Sequence, residues 1–251
     1  MKKWLIRIGI LLLILIGGVG IFLAIMVYEI ENHCGFGFIK TPPFIECSFK
    51  NFNSCHSNNE GVQVCAGKPL ILLYPQKDIN VDVSLSYISG FFATFPEYDP
   101  SKKGWSVLAH PDGTLIDQGT HQDTYGLFWE GNPINSKVFD LSKGFIVRGS
   151  DIRDFLYSKL TEIGLNTKEK SDFIMFWYPK LQNYPYIQIT FAGEDYADIA
   201  KLDINPKPDS LLRVFMVAKP LTESIQIPEQ KLQKFERKGF SVVEWGGTIV
   251  K

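Results

Sequence analysis

Residues 8–28 (IGILLLILIGGVGIFLAIMVY) run for 21 positions without a charged side chain. No other stretch narrows so sharply what the chain can become. As an α-helix rising about 1.5 Å per residue, the run reaches ~31 Å, the thickness of a bilayer's hydrocarbon core. Lipid offers backbone groups no hydrogen bonds, so a lone run of this kind crosses as a helix. Lys2, Lys3 and Arg7 precede it, while Glu29 and Glu31 follow. Basic flanks stay on the cytoplasmic side. The pattern therefore predicts a cytoplasmic tail at 1–7, a single-pass helix solvated by membrane lipid at 8–28, and an extracytoplasmic remainder.

A cleaved signal peptide is the competing reading. Gly18 and Gly20 resemble the small residues before a cleavage site, but apolar residues 21–28 follow where such a site turns polar. An uncleaved anchor is expected. Gly20 and Ala24 form a small-xxx-small pair through which two copies of the helix could dimerise. Ordinary Gly and Ala in a membrane helix is the plainer account of one such pair.

All the cysteines fall in one segment: Cys34, Cys47, Cys55 and Cys65. An even set outside the cytoplasm reads as two disulfides of open connectivity. The segment 29–66 is rich in Asn, Gly and Ser and has little apolar period, so it is expected to be a neck stapled by those bridges. His33 and His56 beside cysteines raise zinc as an alternative. The cysteine spacings, however, are far wider than the C-x2–4-C pairs zinc sites use. No metal is expected.

Residues 67–251 remain as the outer domain, expected to be α+β: antiparallel and β-rich with a central helical pair. Apolar side chains at 79, 81, 83, 85 and 87 alternate with polar ones, the period of a half-buried strand. Further strands are expected at 69–74, 91–95, 105–109, 124–129, 145–148, 186–191, 211–218 and 240–245. His110-Pro111-Asp112-Gly113 suits a hairpin turn. Ser150 is placed to cap a helix carrying Ile152, Phe155, Leu156, Leu160 and Ile163, with Gly164 as its C-terminal stop. Asn166 and Glu169 are spaced as a capping box for a second helix that should end at Pro179.

Chemistry is harder to find. Gly61 and Gly67-Lys68 hint at a phosphate-binding loop, but Pro69 stands where a magnesium-binding Ser or Thr belongs. No G-x-S-x-G elbow occurs, and His110 with His121 is too sparse for a metal site. Two segments place an aromatic beside a glutamate: Trp129-Glu130 and Glu244-Trp245. Glycosidases work with two carboxyl groups ~5–9.5 Å apart, so Glu130 and Glu244 are the candidate pair for a glycan-acting hydrolase. The plainer reading makes Trp129 and Trp245 core residues, with the glutamates paired to Arg237, Arg148 or Arg213, or exposed. For ligand binding the candidates are Trp129, Trp177, Tyr178, Arg237 and Trp245, since flat rings with polar edges suit a glycan or protein ligand.

A formal net charge of −1, from 26 basic and 27 acidic side chains, leaves no basic footprint for nucleic acid. No cofactor motif is present. Several stretches resemble a family of uncharacterised bacterial proteins, many with an N-terminal signal or anchor. They are residues 68–75 (KPLILLYP), 104–115 (GWSVLAHPDGTL), 125–131 (YGLFWEG), 207–215 (KPDSLLRVF) and 235–248 (FERKGFSVVEWGGT). The resemblance spans the outer domain, excludes the anchor and neck, and implies no catalytic residue. The first expectation is thus an anchored extracytoplasmic binding or envelope module. The second is a hydrolase using Glu130 and Glu244.

Overall fold

Strands dominate the part of the computed structural model that is described, residues 63–250. In chain order come β1 (Gln63–Val64), β2 (Gly67–Tyr74), β3 (Ile79–Tyr87), β4 (Phe91–Phe95), β5 (Gly104–Ala109), β6 (Leu115–Asp117), β7 (Asp123–Thr124), β8 (Leu127–Gly131), β9 (Ile134–Asn135) and β10 (Phe145–Arg148). Helices α1 (Ile152–Ile163) and α2 (Thr167–Leu181) follow, then β11 (Tyr186–Phe191), α3 (Gly193–Ile199), β12 (Ala200–Asn205), β13 (Ser210–Leu221) and β14 (Ser241–Ile249). The chain divides into two units, Met1–Ser54 and Cys55–Lys251, and every described residue belongs to the second. The expected membrane helix at 8–28, the Gly20–Ala24 contact and Cys34, Cys47 and Cys55 lie outside the described residues. Among the described residues, no helix is long and apolar enough to cross a membrane.

Two sheets face each other. One runs β10-β11-β13-β14-β2-β8-β4 and the other β12-β3-β5-β6-β7, with β1 and β9 forming a small third pair. The alternation of β3 is realised over most of the strand: Val81, Val83, Leu85 and Tyr87 are buried and Asn80, Asp82 and Ser86 exposed, while Ile79 and Ser84 are half-buried. Those buried residues meet Trp105 and Val107 of β5 and, from the larger sheet, Ile71, Leu73, Leu127, Trp129, Phe215 and Val242. Helices α1 and α2 cover the outer face of the larger sheet. Phe173 packs 5.5 Å from Trp245, and Phe155 packs 5.3 Å from Phe145. Strands buried on both faces need apolar side chains in both directions. That is why β2 reads as an unbroken apolar run and why β14 is buried from Ser241 to Thr248.

Helix α2 begins as its sequence dictates. Asn166 Oδ1 accepts from the Glu169 N–H, and Glu169 returns the bond to the Asn166 N–H. It continues two residues beyond Pro179, because the Gln182 N–H still reaches the Tyr178 carbonyl and closes the last turn. Helix α1 is entered through a 3-10 turn at Gly149–Asp151, so Asp151 and not Ser150 is the boundary residue, and it makes no side-chain cap. Gly164 stops α1 in the left-handed conformation, as expected. Helix α3 has no counterpart in the sequence reading, since seven residues offer too few apolar repeats to show a helical period.

Two strand expectations need correction. Residues 124–129 are not one strand: β7 belongs to the smaller sheet and β8 to the larger. The chain changes sheets at Gly126, where a Cβ would come within 2.9 Å of the Leu70 side chain. The last two strands are also not antiparallel. β13 and β14 run parallel, Ser210 opposite Ser241 through Ala218 opposite Ile249. A parallel neighbour requires the chain to return along the whole strand, and residues 222–240 do so.

Candidate functional site

Glu244 lies at the centre of the sandwich and is wholly buried. Its Oε1 accepts from Tyr196 Oη at 2.7 Å and from Trp129 Nε1 at 3.1 Å, and its Oε2 accepts from Arg213 Nε. Arg213 sits directly opposite Glu244 in the parallel β13–β14 register, which puts both side chains on one face. A second guanidinium nitrogen donates to the Ala200 carbonyl at 2.6 Å, and the group stacks 4.6 Å from the Tyr196 ring. Burial by itself favours loss of the Arg213 proton, but Glu244 and Tyr196 outweigh it and hold the group charged. Burial, reinforced by Glu244, pushes the Tyr196 hydroxyl well above its ordinary value. The carboxylate is committed on both oxygens, while the remaining guanidinium nitrogen of Arg213, Nη2, is buried without a hydrogen-bond partner.

Glu130 is elsewhere. Glu244 stands opposite Ile71, and Ile71 stands opposite Leu127, so these three share the sandwich face. Three residues on from Leu127 along β8, Glu130 points to the other face. The sheet therefore separates the two carboxylates. The hydrolase pair expected from sequence is not assembled, because strand pairing and not sequence spacing decides which face each glutamate takes.

Trp129, Trp177 and Trp245 are also wholly buried. Trp129 belongs to the sandwich core, whereas Trp177 and Trp245 belong to the interface between α2 and the sheet. None presents a ring to a ligand. Tyr178 is half-buried on α2. Arg237, in the 222–240 crossover, donates to the buried carboxylate of Glu169 and lies over the Tyr74 ring. It anchors the crossover to the start of α2. Cys65, the one cysteine among the described residues, is half-buried between β1 and β2.

What sequence reasoning missed gathers on the outer face near Glu130. Opposite Gly246, β2 carries an extra residue: Trp245 pairs with Leu70 and Gly247 with Gly67, leaving Lys68 and Pro69 at a bulge. Lys68 takes the left-handed conformation there, with φ 49°, a position where glycine is the usual occupant. The bulge directs its side chain toward α2, with Nζ 5.0 Å from the Phe176 ring and 5.7 Å from the Trp245 ring. The Lys68 N–H donates to Glu130 Oε1 at 3.2 Å. Among the described residues no oxygen accepts from Lys68 Nζ. Lys180 comes from the last turn of α2, its Nζ 3.7 Å from the Phe176 ring and 3.1 Å from the Phe176 carbonyl.

Burial lowers the pKa of Lys68, against the pull of Asp172 and Glu130. Burial and then Lys68 lower that of Lys180, and burial raises that of Glu130. Both half-buried lysines feel the Glu130 carboxylate, and Lys68 feels Asp172 more strongly. Their neighbours Lys168 and Asp172 pair with each other at 2.8 Å.

Beside this cluster the outer face of the sheet is partly exposed. Leu70 and Leu72 are buried beneath the helices, but Phe128 is only half-buried. Its β4 partner Phe95 is 53% exposed. The result is a shelf with an aromatic floor from β8 and β4, and Lys68, Glu130 and Lys180 at its inner edge. Two other clefts, of about 440 Å³ beside Gln230–Gln233 and about 310 Å³ beside Trp105, are lined by carboxylates and lysines in mixture. Asp117 in the second already accepts from Gly119 and Thr120. Among the described residues no three His, Cys, Asp or Glu side chains cluster as a metal site would require, His110 and His121 included.

The chain is similar to an uncharacterised protein in the bglA 3' region of Butyrivibrio fibrisolvens, with 41% identity over 66 residues. The match covers 26% of this chain and spans 66% of that protein. No family model matches the chain, and no solved structure matches it.

Proposed function

We propose that the chain is a single-pass membrane protein that displays the β-rich domain outside the cytoplasm as a binding module for an envelope glycan or protein. The anchor reading rests on the charge-free run at 8–28 with its basic flank. In this reading the neck is tied by disulfides among Cys34, Cys47, Cys55 and Cys65, which stabilise a segment of little core.

The observation that carries the binding reading is the shelf. An aromatic sheet face is left open beside half-buried charges, a costly arrangement for a surface with no partner. The hydrolase alternative loses its basis once Glu130 and Glu244 stand on opposite faces of one sheet. The test is a glycan and envelope-protein capture panel using the full chain in lipid nanodiscs. Retention of one ligand class without its turnover is expected. Release of cleaved glycan, or no retention beyond empty nanodiscs, contradicts the reading.

A further inference from the structure

We infer that Ile88, Phe92 and Phe95, at the outer edge of the larger sheet, dock into the headgroup region of the membrane crossed by residues 8–28. The inference rests on the membrane-anchored reading and adds to it an orientation for the outer domain.

The first observation is an apolar edge. Residues 88–96 (ISGFFATFP) carry no charged side chain. They form the turn into β4 and β4 itself, the end strand of the larger sheet. Ile88 is 63% exposed, Phe92 59% and Phe95 53%. Three large apolar side chains so close along one strand make a patch. Tyr157, Met175, Leu211 and Ile225, by contrast, are exposed one to a segment on α1, α2, β13 and the 222–240 crossover.

That edge is built against strand addition. Phe92 sits at a bulge with no residue opposite it in β8, and Pro96 follows β4 with no N–H to donate. Bulges and prolines of this kind stop a sheet edge from recruiting another strand. A partner is then held by side-chain burial alone, which a fluid apolar phase provides without a matching surface. Aromatic rings favour the interfacial zone of a bilayer in particular.

The path of the chain names that phase. Gln63 and Val64 of β1 pair with Asn135 and Ile134 of β9. Just before β9, the Asn132 N–H donates to the Gly90 carbonyl at 2.9 Å, and the Pro133 carbonyl accepts from Ser89 Oγ at 2.9 Å. The chain arriving from residues 8–28 therefore enters the described residues one strand away from the turn that carries Ile88. A patch tethered to a membrane meets it at high effective concentration, so a few side chains suffice where a free domain needs a larger face. Phe95 is shared with the shelf, which on this account opens at the bilayer surface.

Hydroxyl-radical footprinting of the full chain, one copy to a nanodisc of dioleoylphosphatidylcholine, tests this. Phe92 and Tyr157 are equally exposed in the fold, each at 59%. Without docking they should be oxidised alike once corrected for intrinsic reactivity. Docking predicts Phe92 and Phe95 at least fivefold less oxidised than Tyr157 and Met175. Ile88→Ser combined with Phe92→Ser should bring Phe95 oxidation up to the level of Tyr157. The thermal midpoint should not change, since both replaced side chains already face water. A disc-bound chain whose Phe92 and Phe95 oxidise as freely as Tyr157 overturns the docking and leaves the anchor standing. Protection that appears only in discs holding two copies assigns the edge to a second copy of the chain and overturns the lipid contact. A chain that does not co-elute with the discs contradicts the anchor reading, and the docking falls with it.

Discussion

A carboxylate with no exposure to water is costly unless every oxygen is met, and Glu244 shows how the cost is offset. Tyr196, Trp129 and Arg213 supply its donors, and Arg213 is in turn held by the Ala200 carbonyl. Removing one partner of a buried ion pair strands the other, at about 3–5 kcal/mol. Glu244→Gln should therefore lower unfolding stability by ~3 kcal/mol or more in urea titrations followed by tryptophan fluorescence. A loss below ~1 kcal/mol would show that the network is not structural.

Glu130 should behave in the opposite way. Burial raises its folded pKa above the ordinary value of 4.5. Between 4.5 and that raised value the folded state holds more protons than the unfolded one, so this residue's contribution falls as pH rises through the window. Glu130→Gln should lack that slope. The variant should gain on the natural chain as pH rises from 4 to 7, and parallel stability curves would contradict the assignment.

Among the elements, the 222–240 crossover decides the topology, because it brings β14 back beside β13 in parallel. Its hold on the sheet is specific. Gln230 Oε1 accepts from the Phe191 N–H at 2.9 Å, and its Nε2 donates to the Phe191 carbonyl at 2.8 Å, as a neighbouring strand would. Gln230→Ala forfeits both bonds, each worth about 1 kcal/mol. It should cost ~2 kcal/mol and speed amide hydrogen exchange at Phe191; unchanged exchange there would contradict the anchoring role.

Local patterns such as the β3 alternation, the capping box of α2 and the Gly164 stop were legible in the sequence because each depends on residues within one or two turns. The parallel pair was not, since it depends on where a long irregular segment ends. The faces taken by Glu130 and Glu244 follow from the β14-β2-β8 order, which no local pattern encodes. Lys68 was legible only as part of a phosphate-loop motif that fails at Pro69. Its actual setting, a bulge opposite Gly246, appears only once β2 and β14 pair. Arg213 was among the expected partners of the glutamates, and the parallel register selects it.

At the scale of the whole molecule, residues 67–251 hold 26 of the 34 aromatic residues. Many of them are buried in its cores, while Phe92, Phe95, Tyr125 and Tyr157 are exposed and Phe128 is half-buried. Non-reducing peptide mapping should find Cys34, Cys47, Cys55 and Cys65 joined in two disulfides, and four free thiols would contradict an extracytoplasmic neck. The central claim is that the shelf faces away from the cytoplasm. A C-terminal fusion to a reporter that fluoresces only in the cytoplasm measures this directly in intact cells. The account predicts a membrane-associated fusion that stays dark, and a bright membrane-associated signal would contradict it.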